Sequence, residues 1–389
     1  MNGHFHYQHP TLKNENPLDA LRLIRSENVG PVTFFQLVSY YGNARNALNA
    51  IPELAKRGGS KRPIKASSLA DAEKELEAIE KYGARLVLYG QPDYPQALTA
   101  IHDAPPVITV FGHSTVWQNR ATIGMVGARN ASANGCAFAR KIATELGQQN
   151  YCVASGLARG IDTAAHLGSL ATGTVAVIAG GINNIYPPEN DKLYKQIAES
   201  GAIIAEAPFG TSPMARHFPA RNRIIAGMSS GVVVVEASQK SGSLITAHYA
   251  LDYHRDVFAA PGSPLDPRCK GSNDLIRNGA TLTESIHDIL QNLQPVEIPP
   301  LRENASGGFK EAPATTNEQA LETIRALLLE KLGAEPVLLD ELLIQCDTTP
   351  SLLYRILLEL ELAGRLQRHS GGRVSLLLDA YGESRVLVE

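Results

Sequence analysis

From residue 85 onward, short and uniformly apolar runs alternate with helical stretches, and no other feature of the sequence narrows its fold as much. The runs are ARLVLYG, PVITVFG, TIGMVG, YCVAS, VAVIAGG, AIIAE, GVVVVEA and DVFAAP. Between the later runs lie helical stretches over 131–148, 159–171 and 191–199, and the segment SLITAHYAL. A strand that is apolar at every position, rather than at alternate ones, has to be covered on both faces. Such strands alternating with helices predict a doubly wound, mostly parallel α/β sheet over residues 85–296. Sheets of this kind take ligands outside the carboxyl ends of their strands, near the point where the strand order reverses. The residues just after each strand are therefore where function is to be sought.

The flanks read differently. Residues 1–16 are polar and aperiodic, as in a loose tail. Their histidines His4, His6 and His9 suit either a metal or, more simply, a solvated surface. Residues 17–84 carry apolar residues at three- and four-residue spacings, in PLDALRLI, PVTFFQLVSYY and LADAEKELEAIEKY. They predict a small helical domain in which the turn Val29-Gly30-Pro31 starts the second helix. Helix, glycine turn, helix is also the layout of modules that seat backbone phosphates. Residues 297–317, rich in Pro, Gly, Ser and Thr, read as a linker. Residues 318–389 predict three helices and a short hairpin, the winged-helix layout.

Charge and composition exclude several classes. The net charge is −3, so the chain is no general polyanion binder. Residues 1–85 hold 12 Lys/Arg against 9 Asp/Glu, whereas residues 317–389 hold 7 against 12. Any nucleic-acid site must be local, made of a few placed arginines and backbone N–H groups. The last module is acidic, and its third helix sets Arg355 against Glu359 and Glu361. That balance favours a protein or self contact over duplex reading, although Arg365, Arg368, His369 and Arg373 gather near the hairpin. Cys136, Cys152, Cys269 and Cys346 form no CxxC pair, which argues against a zinc site or disulfide framework. No cofactor signature is present. No run of 18 apolar residues suits a membrane, and the N-terminus lacks a signal-peptide pattern, so a cytoplasmic protein is expected.

Five strand ends carry chemistry. After TIGMV come Gly127, Ala128, Arg129, Asn130 and Ser132, a glycine turn into a helix whose free N–H groups suit a phosphate. Arg129 adds a guanidinium fork, and Ser132 a cap or an extra donor. After YCVA come Ser155, Gly156, Arg159 and Gly160, then Asp162 and His166 one helical turn apart. That last pair fits acid/base chemistry or a hydrogen-bonded structural pair. The loop from Gly180 to Asn190, with Tyr186, forms either a shaped edge or the rim of a groove. The segment 216–227 crowds Arg216, Arg221 and Arg223 beside Phe218 and Asn222. Guanidinium groups suit phosphates and a free ring suits an unstacked base, hence a single strand. Arg221, Asn222 and Arg223 cannot all face one way on a helix, so at least one is expected inside. Finally Glu236, Ser241 and Gly242 follow GVVVV, and Glu236 is expected to fix an arginine of the preceding segment.

In their order, VGARNAS-NG, SGLARGID-AAH, GGINNIYP, FPARNRIIAG, EAS-KSGSLITA and a closing PG with GSN-LI-GA resemble the DNA-processing protein A family, also called Smf. The resemblance covers roughly residues 90–280. It implies a Rossmann-like central domain, a sterile-alpha-motif or helix-hairpin-helix extension before it and a winged helix after it. It further implies a non-enzymatic factor of natural transformation that binds and shields incoming single-stranded DNA. Homodimerisation and loading of the RecA recombinase are implied through the α/β domain. By that likeness Arg129 grips the backbone and Phe218 stacks a base. Ala128 stands where members often have serine, so one hydroxyl is missing from that turn. Two other readings stay open: an enzyme acting on a nucleoside monophosphate, resting on Asp162 and His166, and a regulatory adaptor, resting on the acidic winged helix. A dinucleotide-dependent dehydrogenase is disfavoured, because no G-x-G-x-x-G follows the first strand.

Overall fold

The computed structural model of the chain describes residues 9–298, 300–301, 318–369 and 371–377. It divides into two compact units. One holds the chain up to Pro17 together with Glu73–Arg302; the other joins Leu18–Ala72 to the chain from Glu303 onward.

The second unit opens with α1 (Pro17–Ile24), α2 (Pro31–Tyr41) and α3 (Ala44–Arg57), and leads into α4 (Leu69–Lys81). Gly30 precedes α2 in extended conformation, and Pro31 stands first in the helix, where its missing N–H leaves no bond unmade. Gly42, at φ 85°, ends α2 with its N–H on the Val38 carbonyl.

The first unit runs β1 (Arg85–Leu88), β2 (Val107–Gly112), β3 (Thr122–Gly127), α5 (Ala133–Gln148), β4 (Cys152–Ser155) and α6 (Ile161–Ser169). It continues through β5 (Thr174–Ile178), α7 (Asp191–Ser200), β6 (Ala202–Ala205), α8 (His217–Gly227), β7 (Gly231–Val235) and α9 (Gly242–Asp252). It closes with β8 (Asp256–Ala259), α10 (Lys270–Arg277), β9 (Thr281–Leu282) and α11 (Ile286–Asn292). These nine strands form one sheet in the order β1-β2-β6-β5-β4-β3-β7-β8-β9. Strands β3 to β9 pair in parallel, and β2 and β1 add an antiparallel edge. Both faces are covered, as the uniformly apolar strands require. One core joins Ile123, Met125, Val153 and Val233 to Ile142 and Leu146 of α5 and Ala165 of α6. The other joins Ala176, Ile178 and Ile203 to Leu193, Tyr194 and Ile197 of α7.

The expected tail of residues 1–16 falls partly outside the described residues, as do His4 and His6. His9 and Leu12 lie inside them and are buried; the Leu12 N–H reaches the Tyr89 carbonyl. Among the described residues no group of three metal-ligating side chains occurs, and all four cysteines are free thiols. Nor is any helix among them long and apolar enough to cross a membrane.

The remainder of the second unit is α12 (Glu318–Lys331), β10 (Val337–Leu338), α13 (Leu339–Gln345), α14 (Pro350–Leu362), β11 (Leu366–His369) and β12 (Arg373–Leu376). The strands pair in the order β10-β12-β11, and Leu328, Leu342, Leu353, Ile356, Leu357 and Leu360 form the core beneath them. This is a winged helix with α14 in the recognition position.

Candidate nucleic-acid interface

The sheet itself selects the site. From β3 the chain order runs one way through β4, β5 and β6, then returns to place β7, β8 and β9 on the other side. The reversal lies between β3 and β7, which pair from Ile123↔Gly231 to Gly127↔Val235. Two turns therefore leave the sheet side by side: Gly127–Ser132 after β3 and Glu236–Ser241 after β7.

Glu236 ties these turns together. Its carboxylate accepts the Ser132 N–H at 2.8 Å and the Ser132 hydroxyl. The Ser132 oxygen accepts the Gly135 N–H at 2.9 Å, which caps α5. The expectation that Glu236 would fix an arginine of segment 216–227 is thus corrected, and Ser132 is spent on Glu236 and the helix cap rather than held out as a phosphate donor. The turn after β3 also packs on the one after β4. The Ile161 N–H reaches the Ala128 carbonyl at 3.2 Å, and Gly160, at φ 74°, lies so close that a Cβ there would sit 2.3 Å from that oxygen.

With these turns fixed, Arg129 and Asn130 stand exposed at the switch point. The Arg129 guanidinium carbon lies 4.9 Å from the centre of the Phe218 ring. Tyr186 meets the same ring edge-on, with centroids 5.9 Å apart, and is itself exposed. Arg216 is exposed just before α8, and Lys240 is exposed in the turn after β7. Arg159 is exposed and paired with Glu189. The result is a rim with cationic groups and two aromatic rings at the carboxyl edge of the sheet. Tyr186 and Lys240 were not singled out as ligands by sequence. Tyr186 had only its place in a loop after a strand to mark it, and Lys240 only its position beside Ser241-Gly242.

The other expected residues lie inside. Arg221 and Arg223 are each 6% exposed. Arg223 bonds the Asp103 carbonyl and Glu206, so both sides of its guanidinium are occupied. Arg221 donates to the Val177 carbonyl at 3.1 Å and packs directly on Gly156, where a Cβ would collide with its guanidinium. Burial lowers the Arg221 pKa to about 10, against the pull of Asp162. Asn222 is buried and donates to the Gly242 carbonyl at 3.2 Å. Ser155 is wholly buried, with its hydroxyl on the Met125 carbonyl at 2.6 Å. Gly242 is exposed and open, while Ser241 caps α9. The expectation of a DNA contact at Arg221, Asn222, Arg223, Ser155 and Gly156 is therefore corrected to an architectural role, because each is covered and already bonded or packed.

Asp162 and His166 part company. The Asp162 carboxylate accepts the Gly156 and Ala158 N–H groups at 3.1 and 3.3 Å. Burial raises its pKa, with Arg221 opposing. The His166 ring bonds Thr174 Oγ1 at 2.9 Å through Nδ1. That hydroxyl donates to the Val153 carbonyl, so Nδ1 carries the proton and Nε2 is left without a partner. No hydrogen bond links the two residues, and each serves the packing of its own turn.

Comparison with known proteins places the chain in a family. Residues 85–294 match the family described as DNA recombination-mediator protein A. Residues 14–78 match the DprA-like N-terminal HHH domain, and residues 312–372 the DprA winged helix domain. The chain is 32% identical over 382 residues to protein Smf of Synechocystis, spanning 89% of this chain and 95% of that one. It is 41% identical over 220 residues to the DNA processing protein DprA of Bacillus subtilis, spanning 56% and 74%. Among solved structures, DprA of Streptococcus pneumoniae superposes with a TM-score of 0.59 at 30% identity, covering 72% of this chain and 99% of that one. DprA of Helicobacter pylori, described for its single-stranded DNA binding mode, superposes with a TM-score of 0.50 at 25% identity, covering 54% and 95%. With three consecutive domains matched and a full-length relative above 30% identity, the chain belongs to the DprA/Smf family of DNA-processing, recombination-mediator proteins.

Proposed function

We propose that this protein binds single-stranded DNA without reading its sequence, shields it, and passes it to the RecA recombinase during natural transformation. The observation that carries the reading is the Arg129 guanidinium lying 4.9 Å from the Phe218 ring at the switch point. A guanidinium beside an aromatic plane suits a phosphate beside an unstacked base. In a duplex the bases are stacked on one another, so an available ring favours a single strand; Phe218 is half-buried, and Tyr186 beside it is exposed. The strand is gripped by Arg129, Asn130, Arg216, Phe218, Tyr186 and Lys240, with Arg159, Gly127, Gly160 and Gly242 shaping the turns around it. The relative from Helicobacter pylori, described for its binding of single-stranded DNA, supports this reading.

The test is titration of an unstructured fluorescent oligonucleotide with wild type and Arg129→Ala, alongside melting curves. Loss of one charge-assisted contact of about 1.5–3 kcal/mol lowers affinity at least tenfold. The melting temperature stays unchanged, because Arg129 is exposed. Arg221→Ala behaves oppositely, with a lower melting temperature as its main effect. Equal affinity for wild type and Arg129→Ala at low salt would remove the proposed site.

We further propose that the chain acts in the cytoplasm and pairs with a second copy through the β8–β9 edge of its sheet. Leu265, 90% exposed in the loop after β8, and Leu282 on β9 give that edge an apolar surface. Sedimentation of wild type and Leu265→Glu checks this: the variant is expected as monomer at concentrations where the wild type pairs.

A further inference from the structure

Two motifs in this chain have the outline of DNA-binding modules: the glycine turn of the N-terminal helices and the recognition helix α14 of the winged helix. Neither is taken up by the strand-binding rim. We infer that these two motifs are bound to each other, so that α14 is a docking face for the N-terminal helices and not a reader of duplex DNA.

The sequence of α14 has an apolar face and, opposite it, a mixed one in which leucines stand among charged residues. Leu353, Ile356, Leu357 and Leu360 recur at intervals of three, four and seven, and they face the winged helix's own core. Arg355, Leu358, Glu359 and Leu362 recur at the same intervals on the other side. In a helix that enters a major groove, that second side carries polar and basic groups open to solvent. Here Leu358, Glu359 and Leu362 are buried although they lie outside the winged helix's own core. A helix buried on both sides has a partner on both sides, and α3 supplies the second.

The contact is close and specific. At Gly58, just past the end of α3, a Cβ would stand 1.9 Å from the Glu359 carbonyl oxygen and 2.9 Å from the Ala363 Cβ. Asn28, which opens the glycine turn at φ 61°, donates from Nδ2 to the Leu362 carbonyl at 3.0 Å. Arg365 donates to the Gly58 carbonyl at 3.2 Å, and Arg368 to Gln36 Oε1 of α2 at 3.2 Å. The Arg355 guanidinium carbon lies 6.0 Å from the centre of the Tyr40 ring. Arg355, Arg365 and Arg368 are thus engaged by the N-terminal helices. Their charge is also offset at home: Arg355 pairs with Glu359 at 3.7 Å and Arg368 with Glu361 at 2.8 Å. Glu359, 2% exposed, is held by Arg325 of α12 as well.

Hydrogen exchange of the full-length protein, with and without a 20-base-pair duplex, tests the inference in wild type, Gly58→Asp and Gln36→Lys. Gly58→Asp forces the faces apart. Gln36→Lys sets a like charge against Arg368 without touching α3, and so covers the case in which Gly58→Asp unfolds it. Amides of residues 355–362 are expected to be protected in wild type and to exchange at least about tenfold faster in a folded variant. Duplex is expected to leave wild-type protection unchanged, and Arg355→Ala to leave duplex affinity within about twofold, since no phosphate contact is lost. Equal exchange in wild type and both variants would show that the face is open and overturn the inference. So would duplex-dependent protection of α14 that Arg355→Ala abolishes.

Discussion

At the scale of single residues, exposure separates the arginines that ligands can reach from those that the fold consumes. Arg129 and Arg216 are exposed, whereas Arg221 and Arg223 are buried within a few residues of Phe218. Phe218→Ala is expected to cost about 1–3 kcal/mol of single-strand affinity, the worth of one stacked base, with little effect on melting. Oligonucleotide titration beside calorimetry measures both, and a purely thermal effect would mean that the ring only packs. A second residue-scale outcome concerns acid stability. Burial lowers the His166 pKa from 6.5 to about 3, with Arg221 adding to the effect, and lowers that of His9 to about 4. On unfolding, both imidazoles regain an ordinary pKa near 6.5, so between about 6.5 and 4 the unfolded chain binds more protons. Stability therefore falls as pH drops through that window. Asp162, its pKa raised by burial, contributes in the opposite sense. His166→Leu should flatten the dependence by up to about 1.4 kcal/mol per pH unit, read from urea midpoints at several pH values. A slope as steep as wild type would show that His166 does not carry it.

At the scale of elements, turns hold the site more than the helices and strands they join. Ser132 caps α5 and at the same time secures Glu236 across the switch point. Ser132→Ala should cost more than the ~1 kcal/mol of an ordinary cap, because a buried carboxylate loses a partner too. A thermal shift no larger than that of Ser241→Ala at the cap of α9 would contradict this. What the sequence disclosed follows the same line. The strands, their helices and the turns after them were legible, because period and glycine placement are local properties. The facing of Arg221 and Arg223 was only half legible: helical geometry required one to turn inward, but nothing local marks Asp103 or Val177 as their acceptors. The partner of Glu236 was misread for the same reason, since Ser132 lies a hundred positions away in sequence and meets it only because β3 and β7 are neighbours. Tyr186 was placed only in a loop that could rim a groove, because its value lies in a ring contact with Phe218 of α8, more than thirty positions on.

At the scale of the whole molecule, a locally built site on a chain of net charge −3 sets the response to salt. A grip by three or four cationic groups predicts a slope of log affinity against log salt near −2 to −3, at about −0.7 per phosphate neutralised. Titrations between 50 and 200 mM salt measure it. A much steeper slope would mean that many more charges take part than the rim holds. The other whole-molecule feature is connectivity. The N-terminal helices and the winged helix belong to one compact unit, yet the whole α/β domain lies between them in sequence. In sequence that domain is an insertion, and the two halves of the unit it interrupts are fastened to each other by α3 and α14. Cutting the backbone once between residues 302 and 317 should then leave the pieces travelling together on a sizing column, while a denaturing gel separates them. For such a chain, covalent continuity and physical integrity are different properties, and a protease that severs the first leaves the second in place.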